Sequence, residues 1–443
     1  MIRPLLSALA LTLLAALPAR AIDIQEVTSP GGIKAWLVED ETIPFVAIQF
    51  SFKGGASLDA EGKRGAINLM TATLEEGAGS RDSVAFAQAV ENLGAQYSFD
   101  VGDDSLTVGM RALTENRDEA AALLAEALTK PRFDDAAIER VRAQVQSIIR
   151  AEATDPQAIA AKEMSRQAWG DHPYATSING TQESVAGLTR QDLVAAKNSV
   201  LARDRVVVGA AGDITPEELG QLVDTVLGGL PEQGTAPLPE PARLQLTGGV
   251  TVIDWDSPQT VVSFAGPGLP IDHPDYFAAY VANHILGGGG FSSRLMEEIR
   301  EKRGLTYGVG TTLATGIYGQ TWQGGMAGSN ATTGQAVDLI RQEWDRMAEG
   351  GVTDQELTDA KTYLTGEYPL RFDGNGSIAG ILAGMQLIGF PIDYVNTRNE
   401  KVEAVTADDV KRVASRLLDA DELRFVLVGR PEGITGTEPA PTN

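Results

Sequence analysis

A repeat constrains this chain more than any other feature. Thr189 and Thr406 stand 217 residues apart, and the same offset separates Asp192 from Asp409 and Gly212 from Gly429. In each copy a Thr is placed to cap a helix, over Leu188–Leu193 and again over Val405–Val410. Each helix leads to an apolar run, Arg205–Gly209 in one and Arg424–Gly429 in the other, that reads as a buried strand. One spacing shared by three markers points to internal duplication. The 443 residues are therefore expected to form two related lobes, residues 22–229 and 249–443. Between them, residues 230–248 open with four prolines and few large apolar groups, the composition of a semi-rigid linker.

Both halves carry the same coarse pattern. Alternating segments predict strands at Gly32–Leu37, Phe45–Phe52, Gln96–Val101 and Ser105–Arg111, and again at Val250–Asp254, Val261–Ala265, Tyr307–Leu313 and Thr321–Ala327. Helices are predicted at Gly65–Leu74 and Tyr276–Leu286. Hairpin-linked strands beside runs of helices define an α+β chain: two duplicated α/β lobes, each a mainly antiparallel sheet with helices packed on one face.

Residues 1–21 read as a secretory signal peptide. Arg3 supplies the positive end, an apolar run spans Leu5–Leu17, and Ala19-Arg20-Ala21 gives the small-residue cleavage site. The run is short for a membrane span, and cleavage after Ala21 predicts a periplasmic or secreted protein with no span thereafter. Losing Arg3 and Arg20 takes the formal charge from −24 to −26. Such a surface disfavours phosphate backbones, so no nucleic-acid partner is expected. Without cysteine, thiol catalysis and Cys-ligated metals are excluded; the three histidines, His172, His273 and His284, are too scattered to form a local metal pair.

The stretch Lys63–Gly77 follows a strand that ends in Gly54-Gly55-Ala-Ser-Leu-Asp59. A glycine-opened helix in this setting resembles the zinc helix of the pitrilysin/insulinase-type metallopeptidases. That family's inverted signature H-x-x-E-H puts two imidazoles on one helix face with a Glu to activate water. Aligned on Gly65 and Gly77, this chain has Asn68, Thr71 and Ala72 in those places. The family's third ligand is a carboxylate roughly 75–80 residues on, and Arg140–Ala151 has neither Asp nor Glu. No zinc site of this type, and no other cofactor, is expected in this chain.

The second half keeps what the first lacks. Asn283-His-Ile-Leu, the glycines Gly287, Gly288, Gly289 and Gly290, then Phe-Ser-Ser-Arg-Leu295 precede Arg300 and Tyr307. This is similar to the family's C-terminal signature, a glycine-rich loop followed by an Arg–Tyr pair seven apart. Arg offers a fixed fork of donors and Tyr an O–H, both suited to the negative charge that develops on a peptide carbonyl during hydrolysis. The glycine loop lacks the Lys-Ser/Thr of a phosphate loop and is expected to lie on a substrate path. His284 reads as a packed imidazole, His172 and His273 as turn residues, and Asp103-Asp104 as a hairpin-tip charge pair.

The resemblance implies a division of labour. The chain looks like the non-catalytic subunit of a heterodimeric peptidase, inactive alone, supplying Arg300 and Tyr307 in trans to a peptide held at the zinc of an H-x-x-E-H partner. The alternative is a degenerate homologue used as a binding or scaffold module, in which the Arg–Tyr pair takes no part in catalysis.

Overall fold

The computed structural model of the chain describes residues 22–440; the leader reading at 1–21 lies outside them. Within them the duplication is explicit. The first half supplies β1 (Gln25–Thr28), β2 (Lys34–Glu39), β3 (Phe45–Lys53), a small ribbon of β4 (Gly77–Ala78) and β5 (Arg81–Asp82), β6 (Gln96–Val101), β7 (Ser105–Leu113) and β8 (Val206–Gly212). The second supplies β9 (Gly249–Asp254), β10 (Gln259–Pro267), β11 (Thr306–Thr315), β12 (Gln320–Ser329) and β13 (Arg424–Gly429). The main sheets run β1-β2-β8-β3-β7-β6 and β9-β13-β10-β12-β11. Without the edge strand β1 the two orders are the same. In each sheet one pair is parallel, β2 with β8 and β9 with β13, and the rest are antiparallel.

The capping threonines do what their spacing predicts. Thr189 with Asp192 and Thr406 with Asp409 each form a reciprocal capping box at the start of Arg190–Val200 and Ala407–Leu417. Each packs on helices of its own half, Arg190–Val200 on Ala66–Ala72 and Ala407–Leu417 on Tyr276–Asn283 and Asn330–Gly350, and adds to the core on one face of its sheet. The first core gathers Ile48, Phe50, Leu69 and Val223, and the second Phe264, Trp322, Trp344 and Leu427.

The other face of each sheet is covered by a helix from the opposite half. Asn375–Leu387 packs on β3 and β8, while Pro156–Trp169 packs on β10 and β13. This exchange explains why β3 and β13 lack a clean in–out alternation: strands buried on both faces read as nearly continuous apolar runs. It also requires a glycine at position 209 on β8, where a Cβ would collide with the backbone of Ala379 and Ala383.

The halves also meet at the tips of their equivalent hairpins. The Tyr174 hydroxyl donates to the Asp104 carboxylate, whose other oxygen accepts from the Ile317 N–H at 2.8 Å; the Tyr318 N–H donates to the Tyr174 oxygen at 3.1 Å. The 230–248 segment forms no helix or strand and ties to both halves. Pro231 accepts from Arg203 N–H at 2.9 Å, and Ala242 N–H donates to Tyr318 at 2.6 Å. No helix among the described residues is long and apolar enough to cross a membrane.

Candidate functional site

The helix aligned with the zinc helix is Ala66–Ala72. Gly65 starts it at φ 95°, a conformation suited to glycine. Asp59 caps it, its carboxylate accepting from the N–H groups of Gly65 and Ile67, both at 2.8 Å. Burial pushes the Asp59 carboxyl up to about 6, against those backbone donors and Arg64 at 3.7 Å. Arg64 in turn spans to Asp103 at 2.7 Å and to the carbonyls of Ser177 and Thr176, which fixes the approach to the helix.

The three expected positions are occupied by groups already engaged or inert. The Asn68 amide donates to Asn179 at 2.8 Å, and the Asn179 amide donates to Glu152 at 2.7 Å. The buried Thr71 hydroxyl donates back to the Ile67 carbonyl at 2.7 Å. Ala72 offers no donor atom. Amides and a back-bonded hydroxyl do not replace two neutral imidazoles, so these residues do not fit zinc. Among the described residues no three His, Cys, Asp or Glu side chains are grouped to hold a metal. Glu152 is the acid that sequence reasoning missed. It ends the helix Asp135–Glu152, one residue past the acid-free stretch, and only the fold brings it to Asn68 through Asn179.

In the second half, the helix Tyr276–Asn283 widens into a π turn over His284–Gly288, closed by the Gly289 N–H on the His284 carbonyl at 2.8 Å. The expected glycine loop is thus partly helical. Gly287 is buried against β11, where a Cβ would lie 2.6 Å from the Thr311 hydroxyl; Gly288 and Gly290 are exposed. His284 stacks on Tyr363 at 5.0 Å, and burial lowers its pKa. His172 and His273 each accept from a backbone N–H two residues on, as turn residues do.

Arg294 anchors the segment that follows. Its guanidinium grips Glu356 with two bonds, 2.6 and 2.8 Å, and donates to the Gly351 carbonyl at 2.9 Å. Burial raises the Glu356 carboxyl, but Arg294 and the Thr353 donors outweigh it and bring it down to about 2.

A second π turn, Met296–Glu301, carries Arg300. Tyr307 sits in a register shift between Thr306 and Val309 of β11. Such a bulge re-aims a side chain, and Tyr307 is 88% exposed. The Arg300 guanidinium lies 4.5 Å over the Phe291 ring and meets Glu301 at 2.5 Å. Arg300 and Tyr307 line one cavity of about 480 Å3, with Gln259 and Ser329. Tyr307 also lines a neighbouring cavity of about 440 Å3, against Gln157 and Ala160 of the exchanged helix. Neither cavity is lined by Asn68, Thr71 or Ala72.

Two lobes that exchange a helix, a short helix bearing Asn68, Thr71 and Ala72, and Arg300 on a π turn beside Tyr307 on a bulged strand point to one class, and sequence comparison agrees. Residues 34–182 match the insulinase (peptidase family M16) model and residues 187–364 the peptidase M16 inactive domain model. The chain belongs to the M16 family. It is 26% identical over 412 residues to the non-peptidase homolog YmxG of Helicobacter pylori, covering 93% of this chain and 95% of that protein. It is 26% identical over 404 residues to the probable mitochondrial-processing peptidase subunit beta of Schizosaccharomyces pombe, covering 86% and 85%. A solved peptidase M16 inactive domain from Pseudomonas fluorescens superposes with a TM-score of 0.86 at 28% identity, over 94% of this chain and all of that one.

Proposed function

We propose that the chain is the non-catalytic subunit of a two-chain zinc peptidase outside the cytoplasm, in the periplasm or secreted. Its residues bind and orient an extended peptide. The Arg300 guanidinium and the Tyr307 hydroxyl donate to the carbonyl that becomes negative, and Gly287–Gly290 border the path by which the peptide enters. A homologous H-x-x-E-H chain supplies the zinc and the activated water. The observation that carries this reading is the sharing of one cavity by Arg300 and an exposed Tyr307, while Asn68, Thr71 and Ala72 offer no ligand set. A relative named as a processing-peptidase subunit supports the paired arrangement.

The test is reconstitution. The purified chain alone should cleave no peptide, and adding its H-x-x-E-H partner should restore cleavage. Arg300→Ala should lower the reconstituted kcat by about 10²–10³, the loss typical of one oxyanion donor, with the complex still assembling. The scaffold reading is favoured by the similarity to a non-peptidase homolog; it is sustained instead if the Arg300→Ala, Tyr307→Phe pair leaves partner activity unchanged.

A further inference from the structure

A hollow recurs at the same place in both halves. In the first it measures about 470 Å3 and lies between residues 57–66 and the helix Arg190–Val200. In the second it measures about 540 Å3 and lies between residues 271–278 and the helix Ala407–Leu417. Asp192 lines one and Asp409 the other, at the repeat offset. The shared fold produces the hollow, so the differences between the copies show what each lining is suited to.

The first is lined with small groups, Ala66, Ala195 and Ala196, and its lysine, Lys63, is paired with Asp192 at 3.1 Å. The second is lined with rings. Phe390 stacks on Tyr394 at 3.9 Å, and Phe277 lies 6.5 Å from Tyr394. Lys401 stands over two of these rings, 5.3 Å from the centre of Tyr394 and 5.8 Å from that of Phe277. Among the described residues its ammonium meets these two rings and forms no ion pair. The other cation, Arg412, is held by Asp275 at 2.8 Å and Asp409 at 3.0 Å. Asp272 lies on the exposed turn at the rim. The charge above the rings is therefore an ammonium with donors to spare, in a chain of net charge −24.

We propose that this second-lobe cavity binds a carboxylate carried on an apolar body, with the head on Lys401 and the body against Phe277, Phe390 and Tyr394. Its size is that of small-molecule sites, and a charge-assisted bond to the ammonium would select the anion. Two sources share this chemistry, a medium-chain fatty acid and the free C-terminus of a peptide ending in an apolar residue. The site is separate from Arg300 and Tyr307, neither of which lines it.

Titration calorimetry on the purified chain tests the assignment with two matched pairs, decanoate against decanol and N-acetyl-Ala-Phe acid against its amide. At least one acid should bind tenfold or more tightly than its neutral counterpart, and the stronger acid identifies the source. Lys401→Gln should abolish that preference, Phe390→Ala should weaken acid and neutral forms alike, and Lys63→Gln in the first-lobe hollow should change neither. Unaltered melting temperatures show that the variants fold. Equal binding of acid and neutral forms, a preference that survives Lys401→Gln, or binding by neither acid overturns the proposal.

Discussion

Single residues carry the clearest energetic statements. Arg294 belongs to the Ser-Ser-Arg-Leu stretch beside the candidate site, yet its guanidinium is spent on Glu356 and the Gly351 carbonyl, so its work is structural. Glu356 sits at about 2, below the ordinary value of 4.5. A carboxyl lowered by folding stabilises the native state above its unfolded pKa, and the gain is lost as pH falls from about 4.5 towards 2. Because the Glu356 side chain is partly open to solvent, screening leaves this worth about 1–2 kcal/mol. Thermal melts between pH 7 and pH 3 should show this loss in the native chain and a flatter profile in Glu356→Gln. Arg294→Met should cost about 1–3 kcal/mol at neutral pH, because it leaves the Gly351 carbonyl unpaired and Glu356 with only its Thr353 donors. At this scale the sequence singled out Arg300 and Tyr307, which the fold brings to one cavity, and Asn68, Thr71 and Ala72, which it sets on one short helix. The Asn68–Asn179–Glu152 chain was not, because its members lie 111 and 27 residues apart and hydrogen bonding follows the fold.

At the scale of elements, strands were the more legible part. Hairpins β6–β7 and β11–β12 follow the alternation of their residues, and each predicted strand is overlapped by an observed one, while the short strands β1, β4 and β5 were not predicted. The bulge at Thr306–Val309 left no mark that pattern reading could use, since it depends on how β11 and β12 align. Nor did periodicity show which sheet a helix would cover: Asn375–Leu387 is apolar enough for either, and its placement on β3 and β8 is a matter of tertiary packing. Gly209 records that placement in one residue. Gly209→Ala should lower stability by about 1–3 kcal/mol, the usual cost of overpacking, measured as a reduced denaturant midpoint. The same change at exposed Gly366, where a Cβ meets nothing, should stabilise its helix slightly.

At the scale of the molecule, the two hairpin tips form a junction that neither half could make alone. Asp104, read from the sequence as a simple charge pair with Asp103, instead joins Tyr174 of one half to the Ile317 N–H of the other. Asp104→Ala should leave that half-buried N–H without its acceptor and cost about 1–2 kcal/mol, and native-state hydrogen exchange should quicken at Ile317 and Tyr318 before the sheet cores. The exchanged helices impose a further condition on how the chain is made. During synthesis the strands of the leading half emerge long before Asn375–Leu387, so one side of that sheet must wait, greasy and uncovered, for more than 150 residues of translation. Sequence-distant closure of this kind folds slowly and is exposed to aggregation. A nascent polypeptide built this way has reason to be held by a chaperone until its last helices arrive.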